Sequence, residues 1–278
     1  MKKQKTVSIK AKLLGVIIPV VIAIVVVLVV AAYQISAGTI KKYSQNLLQS
    51  SVENQASQIE AWLNENLASF QMAKTIIEDL KPSDEELKTI LDGYYGYNSN
   101  YPEGLYVADS TGQLITASES TKKESDVTNS TWYKEGLTRV NMAVGSAYQN
   151  ADGVNVISAS GILNDGSDKV RVISADMTLD RIAIIVNSFI EMNDAEAFLV
   201  DKTSGVILAN RDSSLISQTL GAEGQSHFYQ LTAEKAAEKD YNFATLDGNM
   251  TVFQEVDGTN WLLISYIPTS IVLSDLTQ

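Results

Sequence analysis

The sequence has no cysteine and a single histidine, His227. Without thiols there is no disulfide to staple the fold and no thiolate nucleophile. One imidazole cannot build a His- or Cys-based metal cluster, and it all but removes Ser–His–Asp and Cys–His arrangements. No metal, cofactor or catalytic residue is therefore expected, and the chain does not read as an enzyme. The 33 acidic residues leave carboxylate-only hydrolysis open, although no spacing singles out a catalytic pair. Proline is scarce, and from Thr39 to Lys81 there is neither proline nor glycine. Nothing in that stretch interrupts a helix.

Positive charge is also scarce, and unevenly placed. Residues 1–12 hold Lys2, Lys3, Lys5, Lys10 and Lys12 with no acid, so the rest of the chain carries −17 against −12 for the whole. That acidic remainder repels nucleic acid and anionic lipid, which excludes nucleic acid as a partner. Immediately after the lysines, Leu13 to Tyr33 is a run of 21 residues without a charge. At 1.5 Å per residue, about 20 helical residues cross a hydrocarbon layer roughly 30 Å thick. A cleaved signal peptide would have a shorter apolar region and a small-x-small cleavage site, which Ile35-Ser36-Ala37 does not supply. The segment reads as a membrane anchor with a cytoplasmic N-terminus and an extracytoplasmic remainder.

Beyond the anchor, Ile40, Tyr43, Leu47, Val52, Ile59, Trp62, Leu63, Leu67, Phe70, Ala73, Ile77 and Leu80 recur mostly in steps of three and four. That spacing predicts one long helix over 36–80, a rod of roughly 60 Å whose first half offers a homodimer face. Ser83 and Glu86 form a capping box for a short second helix ending near Asp92-Gly93. The pattern then turns to strands. Gly104–Ala108, a turn at Asp109–Gly112, and Gln113–Thr116 read as a hairpin, and 154–162 and 169–177 as a second pair, followed by a helix over 179–187. The scheme recurs, with Ala197–Val200, a turn at Asp201–Gly205, Val206–Leu208, and a closing hairpin of 250–255 with 261–266. This repeat implies two α+β lobes, over 81–190 and 191–268. Asp109 and Asp201 are expected to be turn residues, and Arg171, between Val170 and Val172, to face water. Pro268-Thr269-Ser270 restarts a helix over 269–278, expected to lead to a second span.

The residues Gly104–Gly112, Asp126 with Trp132-Tyr133-Lys134, Ala175–Asp180 and Trp261–Pro268 together resemble the double Cache ectodomain of bacterial chemoreceptors, sensor histidine kinases and membrane-bound cyclic-dinucleotide enzymes. The resemblance covers nearly the whole chain. It implies an α+β fold: a transmembrane-plus-stalk helix, a membrane-distal PAS-like lobe, a smaller proximal lobe and a descending helix. It also implies ligand binding in the distal lobe. Carried over residue by residue, the amino-acid-binding pattern of the family falls on Trp132, Tyr133, Tyr148 and Asp176. It departs at Ser130, where the family has arginine, at Ser125 for tyrosine, and at Asn150 for aspartate. Asp126 belongs to the same constellation.

The departures have chemical content. A guanidinium grips a ligand carboxylate through two charge-assisted hydrogen bonds, whereas Ser130 offers one neutral hydroxyl. Asp176 suits an ammonium or a ring N–H, and the aromatic rings suit a cation or a flat heterocycle. The expected ligand is thus a small amine or N–H-bearing heterocycle ahead of a carboxylate. Rival assignments are that Trp132 and Tyr133 are core aromatics, that Tyr148 is a half-buried strand aromatic, and that Asp176 or Thr178 caps the following helix. Beside the sensor stand two other functional classes, an anchored carboxylate hydrolase and an anchored scaffold.

Overall fold

The computed structural model describes residues 9–274. Lys2, Lys3 and Lys5 and the last four residues of the expected descending helix lie outside them.

Helix α1 (Ile9–Leu80) runs unbroken for 72 residues, about 110 Å at the helical rise. Anchor and stalk are one element. Every described side chain from 12 to 36 is exposed, so Leu13–Tyr33 presents an apolar surface all round, as a segment solvated by lipid does. Burial starts at Leu48 and continues through Val52, Ala56, Ile59, Leu63, Phe70, Ala73 and Ile77. These steps of three, four and once seven lay one stripe against both lobes. The stripe departs from the predicted one at its ends, because Tyr43 is 69%, Leu47 44% and Leu80 65% exposed. Those positions lie before or beyond the lobes that would cover them.

Helix α2 (Asp84–Asp92) starts as expected: Glu86 N donates to Ser83 Oγ at 3.3 Å and Ser83 N to Glu86 Oε2 at 2.8 Å. Next come β1 (Tyr106–Asp109), β2 (Leu114–Ile115), α3 (Thr131–Gly136), β3 (Ala143–Val144), β4 (Tyr148–Gln149), β5 (Asn155–Leu163), β6 (Arg171–Thr178) and α4 (Leu179–Ser188). The first sheet is antiparallel in the order β2-β1-β6-β5-β3, with β4 also beside β5. The second lobe contributes β7 (Glu196–Asp201), β8 (Ile207–Ala209), α5 (His227–Ala237), β9 (Ala244–Leu246), β10 (Asn249–Val256), β11 (Trp261–Pro268) and α6 (Thr269–Ser274). Its sheet has the order β8-β7-β11-β10-β9. In both, the opening strand lies between its hairpin partner and the last strand of the lobe, so the repeat expected from the sequence is one topology used twice.

Register makes the repeat close enough to compare positions. Asp109 pairs with Arg171 and Asp201 with Trp261, while Tyr106 pairs with Ser174 and Phe198 with Ile264. Asp176, two beyond Ser174, therefore corresponds to Tyr266. Asp109 and Asp201 are turn residues as expected. Asp109 Oδ1 accepts from Thr111 N at 2.8 Å, Thr111 Oγ1 at 2.6 Å and Gln113 N at 3.1 Å. Asp201 Oδ1 accepts from Thr203 N and Ser204 N, both at 2.8 Å.

Arg171 corrects its expectation. Alternation puts it on the face shared with Ile173 and Ala175, but α2 and the 164–170 turn close over it, leaving it 6% exposed and paired with Asp165 and Asp84. Both faces of this sheet are covered, so alternation there does not separate inside from outside.

Candidate functional site

The two faces of the distal sheet carry different chemistry. Val107, Ile157, Ala159, Ile173, Ala175 and Met177 belong to the large apolar core that includes α1. On the opposite face, β6 contributes Val172, Ser174 and Asp176, and its neighbours contribute Tyr106, Ala108, Ser158 and Ser160. The pairings Ser158 with Asp176 and Tyr106 with Ser174 bring these polar groups together.

Asp176 is the centre of the arrangement. Its Oδ1 accepts the Tyr106 hydroxyl in a short hydrogen bond, the Ser158 hydroxyl at 2.6 Å and the Tyr148 hydroxyl at 3.5 Å. Its Oδ2 accepts from Lys122 Nζ at 2.6 Å. The same ammonium lies 4.2 Å from the centroid of the Tyr106 ring, a cation–π distance. Burial, reinforced by the Asp176 charge, pushes the Tyr106 and Tyr148 hydroxyls well above the ordinary tyrosine range. Both therefore stay protonated and serve as donors. A carboxylate set among hydroxyls and one ammonium offers its oxygens as acceptors for N–H groups.

The other sequence-derived candidates divide. Trp132 is fully buried and meets the Tyr106 ring edge-on at 4.8 Å, while its Nε1 donates to Glu124 at 3.1 Å. It backs the site as a core aromatic, with no ring face free. Tyr133 is also buried, and its hydroxyl donates to Val170 O at 3.3 Å, away from Asp176. Ser130 Oγ donates to Val127 O at 2.5 Å, and Asp126, exposed, accepts from Asn129 Nδ2 at 2.8 Å. These two shape the turn before α3. Asn150 Oδ1 holds its own turn by accepting from Asp152 N at 3.0 Å and Val154 N at 2.9 Å, and it also borders the cavity beside Asp176. Thr178, not Asp176, caps α4, accepting from Arg181 N at 3.3 Å. Tyr148 and Asp176 thus meet directly, Trp132 and Asn150 flank them, and Tyr133, Ser130 and Asp126 turn to other partners.

The cavity at Asp176 is about 100 Å³, lined among others by Glu103, Lys122, Lys123, Asn150 and Thr178. Larger clefts lie elsewhere. One of about 360 Å³ runs along the 162–171 hairpin, where Arg171 is already paired, and one of about 350 Å³ lies in the second lobe between the 201–205 turn and α5. Neither includes Asp176. At the place in the second lobe that matches Asp176, Tyr266 donates to Glu196 at 2.7 Å and its ring packs on Phe228 and Phe198. There the equivalent hollow is filled by aromatic rings.

Sequence reasoning missed Tyr106, Ser158 and Lys122. Register places the first two once the strands are paired. Lys122 sits in the irregular 116–126 loop, where no periodicity points to it. Tyr101 was also missed. Its hydroxyl is buried without a hydrogen-bond partner, and burial, with the Asp176 charge, pushes it upward.

The fold and site define an α+β module of one rod and two antiparallel PAS-like lobes, the distal one with a carboxylate-centred polar pocket. The family model of the Cache domain matches residues 32–276, and the chain belongs to that family, in its double form. Among solved structures, the ligand-binding domain of Pseudomonas fluorescens chemoreceptor CtaA with L-isoleucine superposes with a TM-score of 0.67 at 19% identity, covering 86% of this chain and 98% of that one. That of Campylobacter jejuni chemoreceptor Tlp3 with L-norvaline gives 0.67 at 16%, covering 85% and 95%. That of Pseudomonas aeruginosa PAO1 chemoreceptor PctB with L-Gln gives 0.63 at 18%, covering 84% and 94%. At these identities they are similar in fold. No curated protein matches the sequence.

Proposed function

We propose that this chain is the extracytoplasmic sensing region of a bacterial transmembrane chemoreceptor, with no catalytic role, and that a small amine or N–H-bearing heterocycle binds at Asp176. In this reading residues 1–12 are cytoplasmic, 13–33 cross the membrane, 81–190 form the ligand-binding lobe and 191–268 the supporting one. The exposed Tyr43 and Leu47 on α1 support a homodimer along the first half of the stalk. The observation that carries the reading is the convergence of three hydroxyls and one ammonium on the Asp176 carboxylate. Its chemistry is that of an N–H receptor. The amino acids held by the three solved relatives each bear such a group.

A second reading has a specific observation in its favour. Lys123 borders the same cavity, so a cation is available for a carboxylate that Ser130 cannot grip, and a zwitterionic amino acid would then span Asp176 and Lys123.

The test is thermal unfolding of the full chain in detergent against a set of metabolites. A ligand at 100 times its Kd stabilises by about 2.7 kcal/mol. Stabilisation by an N–H-bearing compound, without turnover and lost in Asp176→Ala, is the expected result. A response that survives Asp176→Ala rejects the site, and absence of any response rejects the function. Comparing an amine with its α-carboxylated counterpart separates the two readings.

A further inference from the structure

The Lys122–Asp176 pair is an unusual use of a lysine. The Lys122 side chain is 7% exposed and Asp176 12%. A lysine ammonium is compact and strongly hydrated, and burying it is costly unless a partner compensates. Here one carboxylate oxygen at 2.6 Å and one aromatic face at 4.2 Å do so. The lysine comes from a loop without helix or strand, strapped down at several points. Ser118 N and Oγ donate to Asp92, Ser120 Oγ donates to Glu103, and Glu124 accepts from Trp132 Nε1. The cavity left beside the pair is about 100 Å³. Pockets that enclose small molecules usually measure about 300–1,000 Å³, so a ligand needs room that the lysine now fills.

From these observations we infer that Lys122 is a tethered occupant of the position a ligand ammonium takes on Asp176, so that ligand binds by displacing the lysine and releasing the 116–126 strap. This rests on the reading of Asp176 as the ligand carboxylate and adds the class of ligand the slot accepts: an unbranched primary ammonium. The exchange is balanced. One ammonium leaves the carboxylate for water as another arrives, so no new charge is buried uncompensated. Its cost is the effective concentration of the tethered group, which is in the millimolar range or above for a short link. If the lysine is withdrawn a fraction f of the time, the apparent Kd is the intrinsic Kd divided by f. A slot free one-tenth of the time thus binds tenfold more weakly than an open one.

Lys122→Ala removes three methylenes and the ammonium, leaving a space shaped like n-propylammonium. The test is thermal unfolding of the full chain in detergent with n-propylammonium chloride, against sodium chloride at equal ionic strength and against n-propanol. Lys122→Ala is expected to show saturable stabilisation by n-propylammonium alone, at a concentration at least tenfold lower than any response of the natural chain. Lys122→Gln keeps a donor for Asp176, supports the fold if the alanine variant fails, and is expected to fall between the two. Lys122→Ala combined with Asp176→Asn is expected to lose the response.

Equal responses in natural and variant chains, or a response that persists without the Asp176 charge, overturn the inference. So does a metabolite that needs Asp176 but binds Lys122→Ala more weakly; Lys122 is then a ligand contact, and the Asp176 reading survives. If n-propylammonium acts on Lys122→Ala while no metabolite depends on Asp176, the lysine slot stands and the sensor reading fails.

Discussion

Arg171 Nη1 donates to Asp165 Oδ2 at 2.8 Å with both side chains closed to water, at 7% and 1% exposure. The second limb of the guanidinium reaches Asp84 at the start of α2. This pair ties the 164–170 turn to α2, and removing only the cation strands a buried carboxylate. Arg171→Met is expected to cost about 3–5 kcal/mol, and adding Asp165→Asn to restore most of it. Urea unfolding followed by circular dichroism measures both. Equal losses in the single and double variants would show that the charge pairing is not what holds the turn.

Trp132 and Tyr133 are adjacent in sequence and differ in duty. Trp132→Ala should destabilise the chain by about 3–5 kcal/mol, because it empties the space behind Tyr106. Tyr133→Phe removes only the hydrogen bond to Val170, worth about 1 kcal/mol, and should leave ligand affinity within twofold. Unfolding curves and calorimetry on the same variants check the contrast. A large affinity loss in Tyr133→Phe would return that hydroxyl to the ligand site.

Asp176→Ala should weaken an N–H-bearing ligand by about 2–5 kcal/mol, the range for truncating one member of a buried charged pair. Tyr148→Phe removes one neutral donor and should cost about 1 kcal/mol. Titration calorimetry with a compound found by thermal shift reads both values. Unchanged affinity in Asp176→Ala would place the site elsewhere.

Acid should loosen the distal lobe partly through Asp109. Burial acts to raise its carboxyl, but hydrogen bonds from Thr111, together with Lys169 and the Gln113 amide, outweigh burial and hold it below the ordinary aspartate range. With a depressed folded pKa, the contribution is fully present above about pH 4 and is lost as pH falls through the folded value. Urea midpoints from pH 6 down to pH 2 should therefore fall, and fall less steeply in Asp109→Asn. An identical slope in the variant would remove Asp109 from the account.

The lack of cysteine allows a background-free test of topology. Tyr97, 79% exposed, replaced as Tyr97→Cys, should react with a membrane-impermeant maleimide on intact cells. Lys5→Cys should react only after lysis. The reverse pattern would invert the proposed orientation.

Local signals set what the sequence disclosed. The unbroken α1, the Ser83–Glu86 box and the two Asp-led hairpins each rest on neighbours within about four residues, and they emerged as expected. Arg171 was misplaced because alternation was read as inside against outside on a sheet with two covered faces. Tyr43 and Leu47 follow a helical period, yet only the coverage by the lobes decides where burial starts. α5 and β9 carry weak patterns and were not anticipated. Lys122 meets Asp176 across 54 positions from an irregular loop, and no period or turn chemistry records such a meeting. The repeat was visible as strands and turns, but the substitution of Tyr266 for the distal carboxylate became meaningful only with register.

Asp176 stands two residues before Thr178, which starts α4, and α4 packs on α1, β7 and β8 at once. The pocket and the splint between the halves therefore share one short run of backbone. Whatever tugs that carboxylate by a fraction of an ångström pulls on the root of a helix wedged into the neighbouring sheet. A displacement at Asp176 thus has a covalent route into the second lobe.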